Sequence, residues 1–225
     1  MQIIWRGQSC FQIITNYNKN EQVFIVVDPF SEKIGLKVPK MEADILLVTH
    51  NHPDHNNIKA VSSRNGQQSP FLVSGPGEYE IKEIYIQGIF SWHDDKNGKE
   101  RGENTIYTIE AEDLKLCHLG DLGQKELTEE QLEKIGEVDI LMIPIGGTYT
   151  ISTKEALKIM SQIEPKITIP MHYHLPKLIS SGGRLDDLDK FLKMLGIKKI
   201  EPQPKLTIKK KDLSGDEAKI VVLKP

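Results

Sequence analysis

Residues 50 to 55, His-Asn-His-Pro-Asp-His, place three histidines and an aspartate within six positions, directly after the apolar run ILLVT. Packing alone does not ask for such a cluster. A structural histidine usually stands alone with one or two hydrogen bonds, whereas imidazole and carboxylate together suit divalent zinc, iron or manganese. His50 and His52, two apart in an extended turn, can face one cation, and the Pro53 kink can turn Asp54 and His55 toward a second. The spacing predicts a two-metal site; the alternative is a polar loop that is merely rich in histidine. Four apolar runs end in a potential ligand or ligand-orienting group: VFIVVD at Asp28, ILLVTH at His50, LKLCHLGD at Asp121 and KITIPMH at His172. Strand ends gather functional groups because the sheet is rigid while the following loop is free to vary.

The positioning elements are mostly strands. Between residue 3 and about 120, apolar runs recur between turn signals at 11–15, 23–28, 45–50, 71–74, 84–90, 105–110 and 114–119. A short helix is expected over 57–63. Thr128 and Gln131 form a capping-box pattern opening a helix that Gly136 stops, and Ser152 with Glu155 does the same for TKEALKIMSQI. Leu185, Leu188, Phe191, Leu192 and Leu195 share one apolar face of a third helix, ended by Gly196. The buried-type runs at 139–147 and 166–172 alternate with helices, which predicts parallel strands with helices on the outer faces, an α/β (α+β) layering. The tail segments KLTIKK and KIVVL predict a terminal hairpin, with the lysines at 209–211 on a solvated edge. No repeat or linker divides the chain, so residues 1–225 are expected to form a single domain.

Composition narrows the function. With 38% apolar and 27% charged residues over 225 positions, disordered, collagenous and membrane-spanning readings fall away. Lys and Arg total 29 against 32 for Asp and Glu, a formal charge of −3, so no nucleic-acid or anionic-membrane partner is expected, and the expected partner, a small-molecule substrate, has to be argued from local chemistry. Cys10 and Cys117 each lie in an apolar run and read as buried free thiols of a reducing compartment. The N-terminus reads as a strand rather than a signal peptide, so a cytoplasmic location is expected.

The HNHPDH run, the Gly-Asp pair at 120 and 121 and the isolated His172 together resemble the metallo-β-lactamase superfamily. GQSCF, DPF, GPGEYEI, RGENTIY, HLGDLG and IPMHYH further resemble its small Zn-dependent hydrolase-like branch related to ascorbate-lactone hydrolases. The resemblance implies a four-layer αβ/βα sandwich of two mixed β-sheets flanked by helices, with two divalent metal ions at the sheet edges, zinc foremost and manganese or iron as alternatives. It implies that His50, His52 and a third histidine hold one metal, that Asp54, His55 and His172 hold the other, and that Asp121 bridges them. The third histidine is His93, at the end of the strand GIFSW, or His118; His93 is favoured because His118 and Asp121, three apart on an extended strand, point to opposite faces. His118 is then a satisfied buried histidine or a group behind the ligands. His174 is an outer donor to the site or a plain surface histidine. Asp28 either accepts the free ring N–H of a ligand histidine or simply starts the turn before Pro29.

The chemistry implied is hydrolysis without a serine or cysteine nucleophile, with Asp54 or Asp121 orienting a metal-activated water and taking its proton. Arg101 is a candidate clamp for an anionic substrate, and Tyr149 or Tyr173 a candidate donor to a developing oxyanion. Gly146 and Gly147 let backbone approach the site or simply form a tight turn. The short stretch between Asp121 and His172 leaves no room for the inserted domain of RNA-processing relatives, and His52 stands where redox flavodiiron relatives carry a carboxylate. Lactones and phosphodiesters, including lipid-like ones, are the expected substrates. The competing class is a nonenzymatic protein that holds the same metals for structure or sensing through a partner; structural zinc sites are closed and cysteine-rich, so an open pocket discriminates.

Overall fold

A computed structural model describes residues 1–17, 21–64, 69–179, 183–215 and 217–225. Fifteen strands follow in chain order among these residues: β1 (Gln2–Gly7), β2 (Cys10–Asn16), β3 (Gln22–Val27), β4 (Met41–Ala43), β5 (Ile45–Val48), β6 (Val61–Ser63), β7 (Phe71–Ser74), β8 (Gly77–Ile81), β9 (Ile84–Trp92), β10 (Glu103–Ala111), β11 (Leu114–His118), β12 (Ile140–Pro144), β13 (Ile167–Met171), β14 (Leu206–Thr207) and β15 (Lys219–Ile220). Three helices lie among the later ones: α1 (Glu129–Ile135), α2 (Thr153–Ile163) and α3 (Leu188–Met194).

Two mixed sheets form the sandwich, one in the order β14-β1-β2-β3-β5-β7 and the other β15-β13-β12-β11-β10-β9-β8. Sequence periodicity explains the layering. Strand β1 alternates buried and half-buried residues, because only its Ile3 and Trp5 side meets the core, whereas β12 and β13 are buried throughout, as expected of parallel strands covered on both faces. A core cluster running from Met1 to Leu223 fills the space between the sheets. Both predicted capping boxes are present, at Thr128 with Gln131 and at Ser152 with Glu155. Cys10 and Cys117 are buried and unpaired.

Three local expectations are corrected. The segment 57–63 is one 3-10 turn, Ile58–Ala60, leading directly into β6, because pairing with β4 claims the β-branched Val61 and the serines after it. With Phe30, Met41 and Val61, this ribbon covers the outer face of the first sheet. Helix α3 begins at Leu188, since the Asp187 carboxylate caps it by accepting the Lys190 N–H at 3.0 Å, which leaves buried Leu185 before the helix. The tail segments do not pair with each other: β14 extends the first sheet beside β1 and β15 extends the second beside β13, covering two open edges. The lysines between them fall in a 3-10 turn, where Lys210 pairs with Asp139 at 2.8 Å.

Two residues of β10 help tie the sheets together where the site lies. Thr105 of β10 donates its N–H to Thr49 O at 2.9 Å, just past the end of β5. The buried Tyr107 hydroxyl donates to Val48 O at 2.9 Å and accepts the Gly75 N–H at 3.0 Å. Tyr107→Phe keeps the ring but leaves both backbone groups short of a partner. It is expected to destabilise the fold by about 1–3 kcal/mol, read as a lower midpoint of denaturant unfolding at unchanged slope.

Candidate metal centre

The end of β5 delivers His50 into a loop that brings His52, Asp54 and His55 to the rim of the first sheet, while the second sheet contributes His93 after β9, Asp121 after β11 and His172 after β13. Two donor groups result. One ligand atom each from His50, His52 and His93 lie within 4.8 Å of one another, as do those from Asp54, His55, Asp121 and His172. Five of the chain's seven histidines therefore meet in one place, which no packing requirement explains. Asp121 lies between the groups. Its Oδ2 is 3.1 Å from His55 Nε2, 3.1 Å from His172 Nε2 and 3.6 Å from His93 Nε2, while Oδ1 accepts the Ser9 hydroxyl at 3.1 Å. Its backbone N–H donates to Asn104 Oδ1 at 3.0 Å, and Gly120 makes that approach possible: at φ +57°, a Cβ there would sit 2.4 Å from the same oxygen.

One carboxylate aims two of the rings. Asp28 is fully buried at the end of β3, beside β5, and accepts the Thr49 N–H at 2.8 Å and the Thr49 hydroxyl at 2.7 Å. Its Oδ2 lies 2.9 Å from His55 Nδ1, and the Thr49 hydroxyl oxygen lies 3.0 Å from His50 Nδ1. Because the Thr49 hydrogen is given to Asp28, its oxygen is left to accept, so His50 carries its proton on Nδ1; His55, facing a carboxylate, does the same. Both Nε2 atoms are thereby directed into the cluster, and both are buried without a hydrogen-bond partner. Buried polar atoms are rarely left so, and a lone pair aimed among other donors fits a divalent cation.

The electrostatics divide four of the imidazoles into two pairs. Burial pushes the pKa of His50 far down, with the charge of His55 adding to it; burial also takes His93 down to about 4, against the pull of Asp121. These rings are neutral, with lone pairs available. Burial is the largest influence on His55 and His172 and lowers both, but the carboxylates together outweigh it, Asp121 first at each, with Asp54 and Asp28 at His55 and Asp54 at His172; their pKa values are raised, so a cation would compete with a proton there. Asp54 and Asp121 are held well below the carboxylate range despite burial, by His55 and, at Asp121, chiefly by His172.

The other predicted residues divide cleanly. His118 is fully buried away from both groups, its Nε2 2.9 Å from Ser9 O and its Nδ1 accepting the Gly120 N–H at 3.1 Å, so it braces two loops of the site. His174 is half-buried outside both groups: His172 turns to φ +50°, which ends the strand alternation that would have aligned the two rings. Gly146 is needed, since a Cβ there would meet His172 O at 2.1 Å, while Gly147, at φ +60°, serves the turn. Above the donor groups opens a cleft of about 380 Å³ walled by Lys33, Ile34, Arg101, Tyr149, Leu178 and Leu185. Arg101 is held there by donating to Thr148 O at 3.3 Å. Tyr173 is excluded from this role, being buried against Trp5 at 5.1 Å between ring centres. A larger cavity of about 870 Å³, lined by Glu110, Glu112 and Lys115 among others, contains none of these residues.

Gln8 and Ser9, Thr49 and Asn104 lie in the motifs GQSCF, ILLVTH and RGENTIY, but the sequence assigned none of them a role. Gln8 and Ser9 form the turn between two apolar strands, where polar residues are ordinary, and only the fold brings them beneath Asp54 and Asp121.

Two mixed sheets with histidine and aspartate donors collected at their rim define the metallo-β-lactamase fold. The chain belongs to the β-lactamase superfamily, whose domain matches residues 2–172. It is similar to a Thermococcus onnurineus protein described as a metal-dependent hydrolase, 27% identical over 97% of this chain and 94% of that one. A Thermoplasma acidophilum protein described in the same words is 29% identical over 80% of this chain and 86% of its own length. Among solved structures, a Thermotoga maritima protein described as a Zn-dependent hydrolase of the metallo-β-lactamase superfamily superposes with a TM-score of 0.73 at 32% identity, covering 99% of this chain and 97% of that one.

Asp28→Asn tests the orienting role, because asparagine tolerates the left-handed backbone at this position (φ +49°) but cannot accept at both oxygens. The variant is expected to fold and to lose about 10- to 100-fold in metal affinity, measured by titration against a chelating indicator.

Proposed function

We propose that this chain is a hydrolase that works with two divalent cations, zinc foremost with manganese or iron as alternatives, and cleaves an ester-type bond, lactone or phosphodiester, in a small or lipid-like molecule. The observation that carries the reading is the pair of donor groups sharing Asp121 beneath an open cleft. His50, His52 and His93 would hold one cation, Asp54, His55 and His172 the other, and Asp121 would contact both. Zinc is supported by the donor types and by the description of the Thermotoga maritima relative. The cytoplasm is the location that the sequence favours; among the described residues no helix is long and apolar enough to cross a membrane.

Cations bound there would supply Lewis acidity and a hydroxide near neutral pH. The chain's own residues do the rest. Asp54, 28% exposed at its side chain, faces the cleft and is the better placed carboxylate to take a proton from the attacking water. Asp121 is the poorer candidate, since one oxygen is bonded by Ser9 and the other is enclosed by three imidazoles. Arg101 and Lys33 would present positive charge to an anionic substrate, Ile34, Leu178 and Leu185 would receive its apolar part, and Tyr149, which also lines the cleft, would donate its hydroxyl to a developing oxyanion. The open cleft also supports an enzyme over a closed structural or sensing site.

The test is hydrolysis of a homoserine-type lactone and of a chromogenic phosphodiester by the parent chain and by His52→Ala. The parent is expected to turn over one of them, and the variant to lose about 100-fold or more. Equal rates in the two proteins would contradict the mechanism.

A further inference from the structure

Gln8 is built into the metal centre at a visible conformational cost. It occupies the turn between β1 and β2 at φ +52°, a region few residues other than glycine adopt. Its carbonyl is fastened there by the Trp5 Nε1–H at 2.8 Å and the His172 N–H at 3.2 Å. The residue is only 4% exposed, and its amide turns inward, with Nε2 placed 2.7 Å from His172 Nε2 and 3.1 Å from Asp54 Oδ2. The other amide atom, Oε1, is buried with no hydrogen-bond partner.

The spacing indicates what the amide does. Two donors that share one cation at about 2.1 Å, at right angles, lie about 3 Å apart. The inward amide atom stands at that separation from both His172 Nε2 and Asp54 Oδ2, two of the donors in the second group. An NH2 there loses His172 as an acceptor once that lone pair faces a cation and keeps only Asp54. Rotating the amide by a half-turn, a change that leaves its shape unaltered, puts the oxygen in the same place.

We propose that Gln8 contributes its amide oxygen as a further ligand to the cation held by Asp54, His55, Asp121 and His172. The assignment rests on the two-cation reading. It makes the two positions chemically unequal. The first is dominated by three imidazoles, whereas the second gains a third oxygen donor, which favours harder cations such as Mn2+ there.

The experiment is calorimetric titration of the metal-stripped chain with Mn2+, for the parent, Gln8→Ala and Gln8→Glu, with circular dichroism to confirm that each is folded. The parent is expected to show two binding events. In Gln8→Ala one weakens by about tenfold or more while the other changes by less than about twofold. Gln8→Glu separates a ligand from a hydrogen-bond donor: a carboxylate can bind the cation but cannot donate to Asp54, so parent-like or tighter binding is expected. Gln8→Glu as weak as Gln8→Ala would overturn the assignment and make the amide a donor to Asp54. Two parent-like events in Gln8→Ala would overturn it while leaving the two-cation reading intact. Fewer than two events in the parent would overturn both.

Discussion

The metal centre depends on one buried carboxylate with three donors around it. Asp28 and Thr49 come from the ends of β3 and β5, which run side by side and parallel with Val27 opposite Leu47, so sheet register alone brings them together. From there the constraint propagates by hydrogen-bond direction. The Thr49 hydroxyl gives its hydrogen to Asp28 Oδ2 and must accept from His50, while the same Oδ2 faces His55 and Oδ1 takes the Thr49 N–H. Two imidazoles that could otherwise rotate or change tautomer are thereby fixed with their free nitrogens aimed the same way. Preorganisation of this kind removes the cost of ordering ligands at the moment a cation binds.

The centre also straddles the sandwich. His50, His52, Asp54 and His55 follow a strand of the first sheet; His93, Asp121 and His172 follow strands of the second. Their relative placement is therefore only as good as the alignment of the sheets, which is where Tyr107, Thr105 and Asn104 act. These β10 side-chain and backbone groups reach the end of β5 and the loop carrying Asp121, so this interior strand of the second sheet also sets the distance between the donor groups. A cation binding both halves would reinforce that alignment, coupling metal occupancy to fold stability.

Much of this was legible in the sequence because the relevant signals are local. Two-residue alternation marked β1, fully apolar runs marked β12 and β13, and the capping boxes marked α1 and α2. HNHPDH was visible because its residue types are costly to keep together without a use. The preference for His93 over His118 came from strand geometry, and the structure groups His93 with His50 and His52 while His118 is satisfied by backbone. What was not legible is set by long-range partners. The two tail segments look like a hairpin until two sheet edges elsewhere are known to be open, and Val61 looks helical until β4 claims it. Gln8 and Ser9 stand in the GQSCF motif, which marks the resemblance but not a role, since their roles come from Asp54, Asp121 and His172, 46 or more positions away.

The most direct measurement is elemental analysis of metal content per chain, on protein purified without chelator, beside His52→Ala. Close to two divalent ions per chain are expected in the parent and fewer in the variant. A parent chain that carries no metal, even after zinc or manganese is added, would contradict the two-cation reading.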